Sequence, residues 1–376
     1  MAQELYDLPE GWDWIGWSDA LEIIGGKNQK NVVAGDGEYP IYGSGGEMGR
    51  AKDFLCPAFT TIIGRKGTIN RPLYTEEPVW NVDTAFGLAS NESLDAKLLF
   101  YFCRAFNFLS LNRSTTLPSL TKRDLYTLKI PLPPLNEQKR IVARLDALFT
   151  RIDTAITHLQ QTLELSKALF ASALSTEFQS RDKNWQPVQL ADVCSITSKL
   201  SDPREPEYID MIHVGGANIE TLTGRLRKLK TAREEKLISG KFPFDARMVL
   251  YSKIRPYLMK VARPNINGLC SADIYPLTPN SEVLVRDFLF YLLLSEDFST
   301  YAIQGSSRAG MPKVNRKHLF SYKFSIPPIE EQKKITDRLD ALSERTRSIE
   351  SSTQEKLNDL ASLKASLLDA AFKGQL

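Results

Sequence analysis

Two short basic runs follow directly on apolar, strand-like stretches: Arg65 and Lys66 after Thr60-Thr61-Ile62-Ile63-Gly64, and Lys253 and Arg255 after Met248-Val249-Leu250-Tyr251-Ser252. A guanidinium carries a planar fork of N–H donors that matches O6 and N7 of guanine, and ammonium groups meet phosphate oxygens. Basic side chains at strand ends therefore suit the reading or gripping of a duplex. Further cations stand where turns would expose them: Lys27, Lys30, Arg113 and Lys122, then Arg225, Arg227, Arg308, Lys313, Arg316 and Lys317. The candidate contacts are Arg65, Lys66, Lys27, Arg113, Lys122, Lys253, Arg255, Arg227, Arg308 and Lys313, with 65/66 and 253/255 foremost. Solvated surface is the competing reading for each, and for Lys253 and Arg255 so is a buried ion pair.

Catalytic signatures are missing. The Pro-Pro pairs at Pro133 and Pro327 run on into Leu135 and Ile329, so neither forms the Asn/Asp-Pro-Pro-Tyr/Phe motif of adenine methyltransferases. Gly43 to Gly49 is glycine-rich but lacks the Gly-Lys-Ser/Thr of a phosphate-binding loop. Glu234-Glu235-Lys236 has an acid-x-lysine spacing found in nucleases, yet no Pro-Asp pair precedes it, and a solvated helix is the expected reading. Cys56, Cys103, Cys194 and Cys270 are too scattered for a zinc knuckle, and three histidines add few ligands, so buried reduced thiols and no metal are expected. The first residues lack the basic and apolar regions of a signal peptide, and no long uncharged apolar run follows, so the expected location is the cytoplasm. Net charge is −3 for residues 1–135, +1 for 136–181, +5 for 182–330 and zero for 331–376. A first third that is slightly acidic argues against tight, autonomous binding to a polyanion.

The elements that must position these residues are set by a repeat. Ile130 to Ile141 (IPLPPLNEQKRI) returns as Phe324 to Ile335 (FSIPPIEEQKKI), and Arg144-Leu145-Asp146-Ala147-Leu148 returns as Arg338-Leu339-Asp340-Ala341-Leu342, all at an offset of 194 residues. Prolines can precede a helix but not occupy its interior, so each block opens one, with Asn136 as the predicted N-cap of the first. Apolar residues then advance by threes and fours: Ile141, Leu145, Leu148, Ile152, Ile156, Leu159, Leu163 and Phe170, and again Ile335, Leu339, Leu342, Ile349, Leu357, Leu360, Leu363 and Leu367. Ser166, Thr346 and Thr353 interrupt the rows. A helix over Glu137 to Phe178 would be about 60 Å long and unstable alone. The two stripes are therefore expected to pair, and the order globule, helix, globule, helix requires them to run antiparallel. Strands at 60–64, 79–82 and 248–252 and helices at 98–108 and 288–294 complete an α+β reading. The expected segments are globules at 1–135 and 182–329 and helices at 136–181 and 330–376.

The doubled Pro-Pro-Leu/Ile-x-Glu-Gln-Lys block, each copy following a dissimilar globule, resembles the specificity subunits of type I restriction-modification systems. Tyr42-Gly43-Ser44-Gly45-Gly46 with Ile63-Gly64-Arg65-Lys66-Gly67, and Leu250 to Leu258 (LYSKIRPYL) with Cys270-Ser271-Ala272-Asp273, are similar to that family's target recognition domains. The resemblance implies two target recognition domains joined by long antiparallel helices with pseudo-two-fold symmetry. It implies a non-catalytic reader of a bipartite, asymmetric site in double-stranded DNA. Two methyltransferase subunits would dock on the helices, whose positions Ile141, Leu145, Leu148, Ile335, Leu339 and Leu342 are the expected partner-binding set, and restriction subunits would join through them. S-adenosylmethionine, ATP and magnesium would belong to those partners, with no cofactor on this chain. The competing readings are a coiled-coil adaptor that never touches DNA, and a stand-alone nuclease or methyltransferase, which the missing motifs disfavour.

Overall fold

The computed structural model describes residues 5–179, 184–306 and 312–376. They fall into two compact units, Met1–Gln160 with Gln354–Leu376 (unit 1) and Gln161–Thr353 (unit 2). Two long helices, Leu135–Gln179 and Ile329–Phe372, each contribute one half to each unit, so the helices are not separate domains between globules. Among the described residues no helix is long and apolar enough to cross a membrane.

In unit 1 the strands Leu21–Gly25, Ala85–Ser90, Thr60–Gly64 and Leu73–Thr75 lie side by side, in that order, as an antiparallel sheet. The run Thr60–Gly64 is buried at every position, which explains why it is apolar or hydroxylic throughout and does not alternate. Gly46–Ala51, Tyr39–Gly43 and Trp80–Asn81 make a second sheet, in which 39–43 runs parallel to 80–81. The glycine-rich stretch at 43–49 is the hairpin of this sheet. Helix Ala96–Ala105 is capped by Asp95, whose carboxylate accepts the N–H groups of Lys97 and Leu98, and it buries Leu98, Leu99 and Phe102 against the first sheet.

Unit 2 repeats this plan despite its different sequence. Cys194–Ser195, Ile274–Pro279, Val249–Ser252 and Val261–Ala262 form a sheet in the same spatial order. Lys230–Thr231, Ile212–Val214, Gly268–Cys270 and Phe242–Phe244 form the second, again with one parallel pairing, 212–214 with 268–270. Helix Arg286–Leu294 takes the place of 96–105. In both units the strand that opens the globule pairs with the strand that precedes the long helix, Asp13–Gly16 with Lys129–Leu132 and Gln186–Gln189 with Lys323–Ile326.

The repeated Glu-Gln pair has a structural purpose. Gln138 is 1% exposed and Gln332 0%. The Gln138 amide oxygen accepts the Asp95 N–H at 2.7 Å, while its nitrogen donates to the Ser93 and Pro133 carbonyls at 2.9 and 2.8 Å. Gln332 accepts from Val285 at 2.8 Å and donates to Val283 and Pro327 at 2.8 and 2.9 Å. Each glutamine thus closes the loop before the globular helix onto the first turn of the long helix. Two turns further on, Asp146 takes the Tyr101 hydroxyl and Lys97, and Asp340 takes the Tyr291 hydroxyl and Arg263.

Several expectations about the helices need correction. The first long helix begins at Leu135, its ladder starting on the Pro134 carbonyl, and Asn136 sits inside the first turn with its side chain accepting the Glu137 N–H. Ile141 and Leu145 are buried in the core of unit 1 and Ile335 and Leu339 in that of unit 2, with Leu148 and Leu342 half-buried beside them. Burial within their own units removes those four from any surface a partner could touch. In unit 1 the start of the first helix meets the end of the second, Ile141, Leu145 and Phe149 lying with Leu368 and Phe372, and Lys364 pairs with Asp153. In unit 2 Phe170, Leu174 and Phe178 of the first helix share a core with Ile335 and Leu339, and Arg338 bonds Glu177 at 2.6 Å. The helix segments in each unit therefore run antiparallel. The hydroxylic interruptions Ser166, Thr346 and Thr353 are themselves buried, whereas the stripe members Ile349 and Leu363 are exposed. Thr346 meets its hydrogen-bonding need by donating back to the Ser343 carbonyl at 2.9 Å, which lets a polar residue lie on an inner face.

Replacing Gln332 by Leu strands the Val285 N–H and two carbonyls in the core. We expect a loss of about 2 to 4 kcal/mol in unfolding free energy. The exposed neighbour change Lys334→Ala should cost within about 0.5 kcal/mol. Denaturant unfolding of the full chain checks both, and equal small losses would contradict the clamp.

Candidate nucleic-acid interface

The strand Thr60–Gly64 ends in a loop that is pinned on both sides. Arg65 N–H donates to the Thr84 carbonyl at 2.8 Å, Leu120 N–H donates to the Arg65 carbonyl at 2.9 Å, and Lys66 forms an isolated bridge with Ser119. The Arg65 guanidinium lies 5.6 Å over the Phe86 ring, half-buried, while Lys66 is exposed. The segment that holds this loop gathers other predicted residues. Arg113, 84% exposed, bonds Asp124 at 2.7 Å, and Asp124 belongs to the short helix that begins with Lys122. A side chain at Gly25 would meet Lys122 Cε at 3.5 Å, so the 25–27 loop adjoins as well. There the Lys27 backbone is fixed by Trp80 Nε1 and the Asn81 carbonyl, leaving the exposed ammonium outside. All five predicted cations of unit 1 therefore stand along one chain of touching loops.

In unit 2 the corresponding strand, Val249–Ser252, leads into Lys253, Ile254 and Arg255. Val314 N–H donates to the Lys253 carbonyl at 2.8 Å, and Ile254 bridges Lys313. This brings together residues 60 positions apart in sequence. Asp273 lies at the centre, 3.4 Å from Lys253 Nζ and 3.2 Å from Lys313 Nζ. Lys253 and Arg316 lie 5.3 and 5.7 Å from the Tyr275 ring centroid. Two cations on one carboxylate, with Arg316 over the neighbouring Tyr275 ring, leave a local excess of positive charge. Burial and the Lys313 charge lower the Lys253 pKa against the pull of Asp273. Burial pushes the Asp273 carboxyl up, but Lys313 and Lys253 outweigh it and hold the group below the usual carboxylate range. With a side chain only 15% exposed, Lys253 is the partly buried ion-pair partner that its residue type left open. Arg255 is exposed and has no side-chain partner among the described residues.

One predicted contact falls elsewhere, and another lies outside the described residues. Arg227 bonds Glu220 at 2.8 Å on a hairpin whose Arg225 reaches Glu350 of the second long helix at 3.3 Å, so it does not join the Asp273 cluster. Arg308 lies outside the described residues. Reasoning from sequence passed over Tyr275 and Phe86, which carry the cations, because an aromatic two residues beyond Asp273 or Thr84 has no local signature of that role. The acid-x-lysine run is a turn and not a helix. Glu235 bonds His213 at 2.8 Å, and Glu234 accepts the Thr231 N–H. Among the described residues no group of three His, Cys, Asp or Glu side chains is placed to hold a metal. The four thiols are buried and unpaired with one another, and burial pushes those of Cys56 and Cys194 up to about 12.

The two matching folds, each with its basic loop edge, coincide with two matches to known proteins. The family described as the type I restriction modification DNA specificity domain matches residues 9–165 and again 182–359. The chain belongs to this family. The EcoDI specificity subunit of Escherichia coli is 26% identical over 98% of this chain and 89% of that protein. The EcoBI specificity subunit, also of Escherichia coli, is 25% identical over 84% and 73%. A chain from structural work on complex assembly and conformational transition of the type I R-M system shares the fold with a TM-score of 0.77, at 21% identity over 99% of this chain and all of that one. The HsdS subunit of Thermoanaerobacter tengcongensis has a TM-score of 0.57 at 22% identity, over 99% of both chains. This specificity subunit thus carries two matches to the DNA specificity domain, each covering one globule and much of the long helix that follows it.

The Asp273 cluster predicts a pH effect. A carboxyl whose folded-state pKa is depressed contributes stability above its unfolded value, near 4, and loses it as pH falls through the lower folded value. Asp273→Asn should therefore cost about 1 kcal/mol at neutral pH, the modest size a half-exposed pair supports. That difference should shrink below about pH 4, measured by thermal unfolding from about pH 3 to 7. A difference independent of pH would contradict the pairing.

Proposed function

We propose that each unit reads one half of an interrupted, asymmetric DNA sequence. The exposed faces of the long helices then hold two methyltransferase subunits, through which restriction subunits join. The observation that carries this reading is the repeated loop edge: the same strand end, tied by the same backbone bonds to the segment before the repeated block, carries Arg65, Lys66 and Gly67 in one unit and Lys253, Ile254 and Arg255 in the other. One scaffold with two different contact surfaces suits two different half-sites. Catalysis, with S-adenosylmethionine, ATP and magnesium, belongs in this reading to the partner subunits. Direct contacts to DNA are assigned to Lys27, Arg65, Lys66, Arg113, Lys122, Arg255 and Lys313, with Lys253 holding Asp273 behind them.

With a net charge of −3 over residues 1–135, the chain alone supplies too little phosphate neutralisation for tight binding. The chain by itself should bind DNA weakly at physiological salt, and the complex with two methyltransferase subunits should bind tightly and specifically. Mapping methylated adenines in cells that carry the chain and its methyltransferase should reveal one asymmetric site whose halves are separated by unread base pairs. A contiguous site would contradict the two-reader assignment. A methyltransferase equally active and equally selective without the chain would favour a scaffold that does not touch DNA.

A further inference from the structure

The backbone bonds of the two loop edges fix which residues correspond. Gly67 N–H donates to the Pro118 carbonyl at 2.9 Å, and Arg255 N–H donates to the Pro312 carbonyl at 2.9 Å. Leu120 bonds the Arg65 carbonyl as Val314 bonds that of Lys253. Arg65 therefore corresponds to Lys253, and Arg255 corresponds to a glycine. Both residues at that apex are left-handed, Gly67 with φ +81° and Arg255 with φ 50° and ψ 61°. Glycine adopts this region freely, whereas every residue with a Cβ is strained in it. The turn itself needs no arginine, since glycine makes the equivalent backbone bond in unit 1.

Among the described residues the strain gains no side-chain contact. Lys253, Lys313 and Arg316 are engaged by Asp273 or Tyr275, but the Arg255 guanidinium is exposed and unpartnered among the described residues. The turn around it is closed by backbone bonds. Pro256 is buried, Leu258 N–H donates to the Arg255 carbonyl and Met259 N–H to that of Pro256, both at 2.9 Å. Met259 closes the turn in a second left-handed conformation, φ 45°. A phosphate contact tolerates many orientations and can be made by a flexible side chain on any exposed loop. A bidentate contact to a base edge needs a fixed Cα–Cβ direction, which a turn closed in this way provides before binding.

We infer that Arg255 is a specificity-determining residue of unit 2, reading a guanine in the major groove of its half-site, while Gly67 leaves the equivalent apex of unit 1 without a reading side chain. This rests on the DNA-reading function proposed above. Arg255→Gly installs the residue that unit 1 already uses, so the unfolding midpoint should not fall. In complex with the methyltransferase subunits, this variant should lose about tenfold to a hundredfold of its preference for guanine at one position of the second half-site. The first half-site should be unchanged, and Arg255→Lys should retain only part of the preference. Competition binding against single-base variants of the site, with methylated-adenine mapping, reads both. Unchanged discrimination, an equal loss on all sequences, or a lowered unfolding midpoint would overturn the inference, the second by assigning Arg255 to a phosphate. A wild-type complex without sequence preference in either half would overturn the DNA-reading function itself.

Discussion

A buried glutamine at the first turn of each long helix fixes how that helix leaves its globule. Its amide can satisfy an N–H and two carbonyls at once, and Gln138 and Gln332 do so on equivalent backbone groups 194 residues apart. Leaving such groups unpaired in a core costs far more than forming the bonds gains, so the geometry is enforced by penalty. The prolines just before give the chain a stiff approach, and Asp146 and Asp340, bound to a globular tyrosine in each unit, secure the helix two turns later. The repeated sequence block is thus a joint.

A fixed joint allows the rest of the globule to vary. The two units share sheet order, the parallel pairing and the strand that closes onto the helix, although their sequences agree mainly near the joint. Among the residues that differ at the loop edge, Lys66 in one unit and Arg255 in the other meet solvent. Each edge is also anchored from behind by aromatic rings and backbone bonds, which hold cations in place without spending their outer faces. A subunit that must recognise two unrelated half-sites has use for such a division between a constant frame and a variable rim.

Much of this was legible in the sequence because it follows from local rules. Proline placement located both helices to within two residues at their starts. The buried runs at 60–64 and 249–252 showed as strands, and the basic residues after them indicated an edge. What escaped depended on tertiary context. Thr346 and Thr353 interrupt the apolar stripe, but a threonine that bonds back to its own helix can be buried, while Ile349 and Leu363 turn outward. Ile141, Leu145, Ile335 and Leu339 lie in the cores of their own units, whereas periodicity identifies an inner face without saying what covers it. Arg227 stands apart from the Asp273 cluster, on a hairpin where it pairs with Glu220. Nothing local distinguishes Arg255 from Lys253 as an outward-facing reader. That distinction needed the pairing of 253–255 with 312–314 and the sign of one backbone angle.

The claim on which this account rests is that each helix and its globule open only together. Native-state hydrogen exchange at the Asp95 and Val285 amides tests it directly, because their acceptors are the side chains of Gln138 and Gln332. Both amides should exchange as slowly as those of the buried strands at Ile62 and Leu250, in one cooperative opening of the unit. Exchange several orders of magnitude faster at Asp95 and Val285 than in the strands would show that the joints open on their own, and would contradict the account.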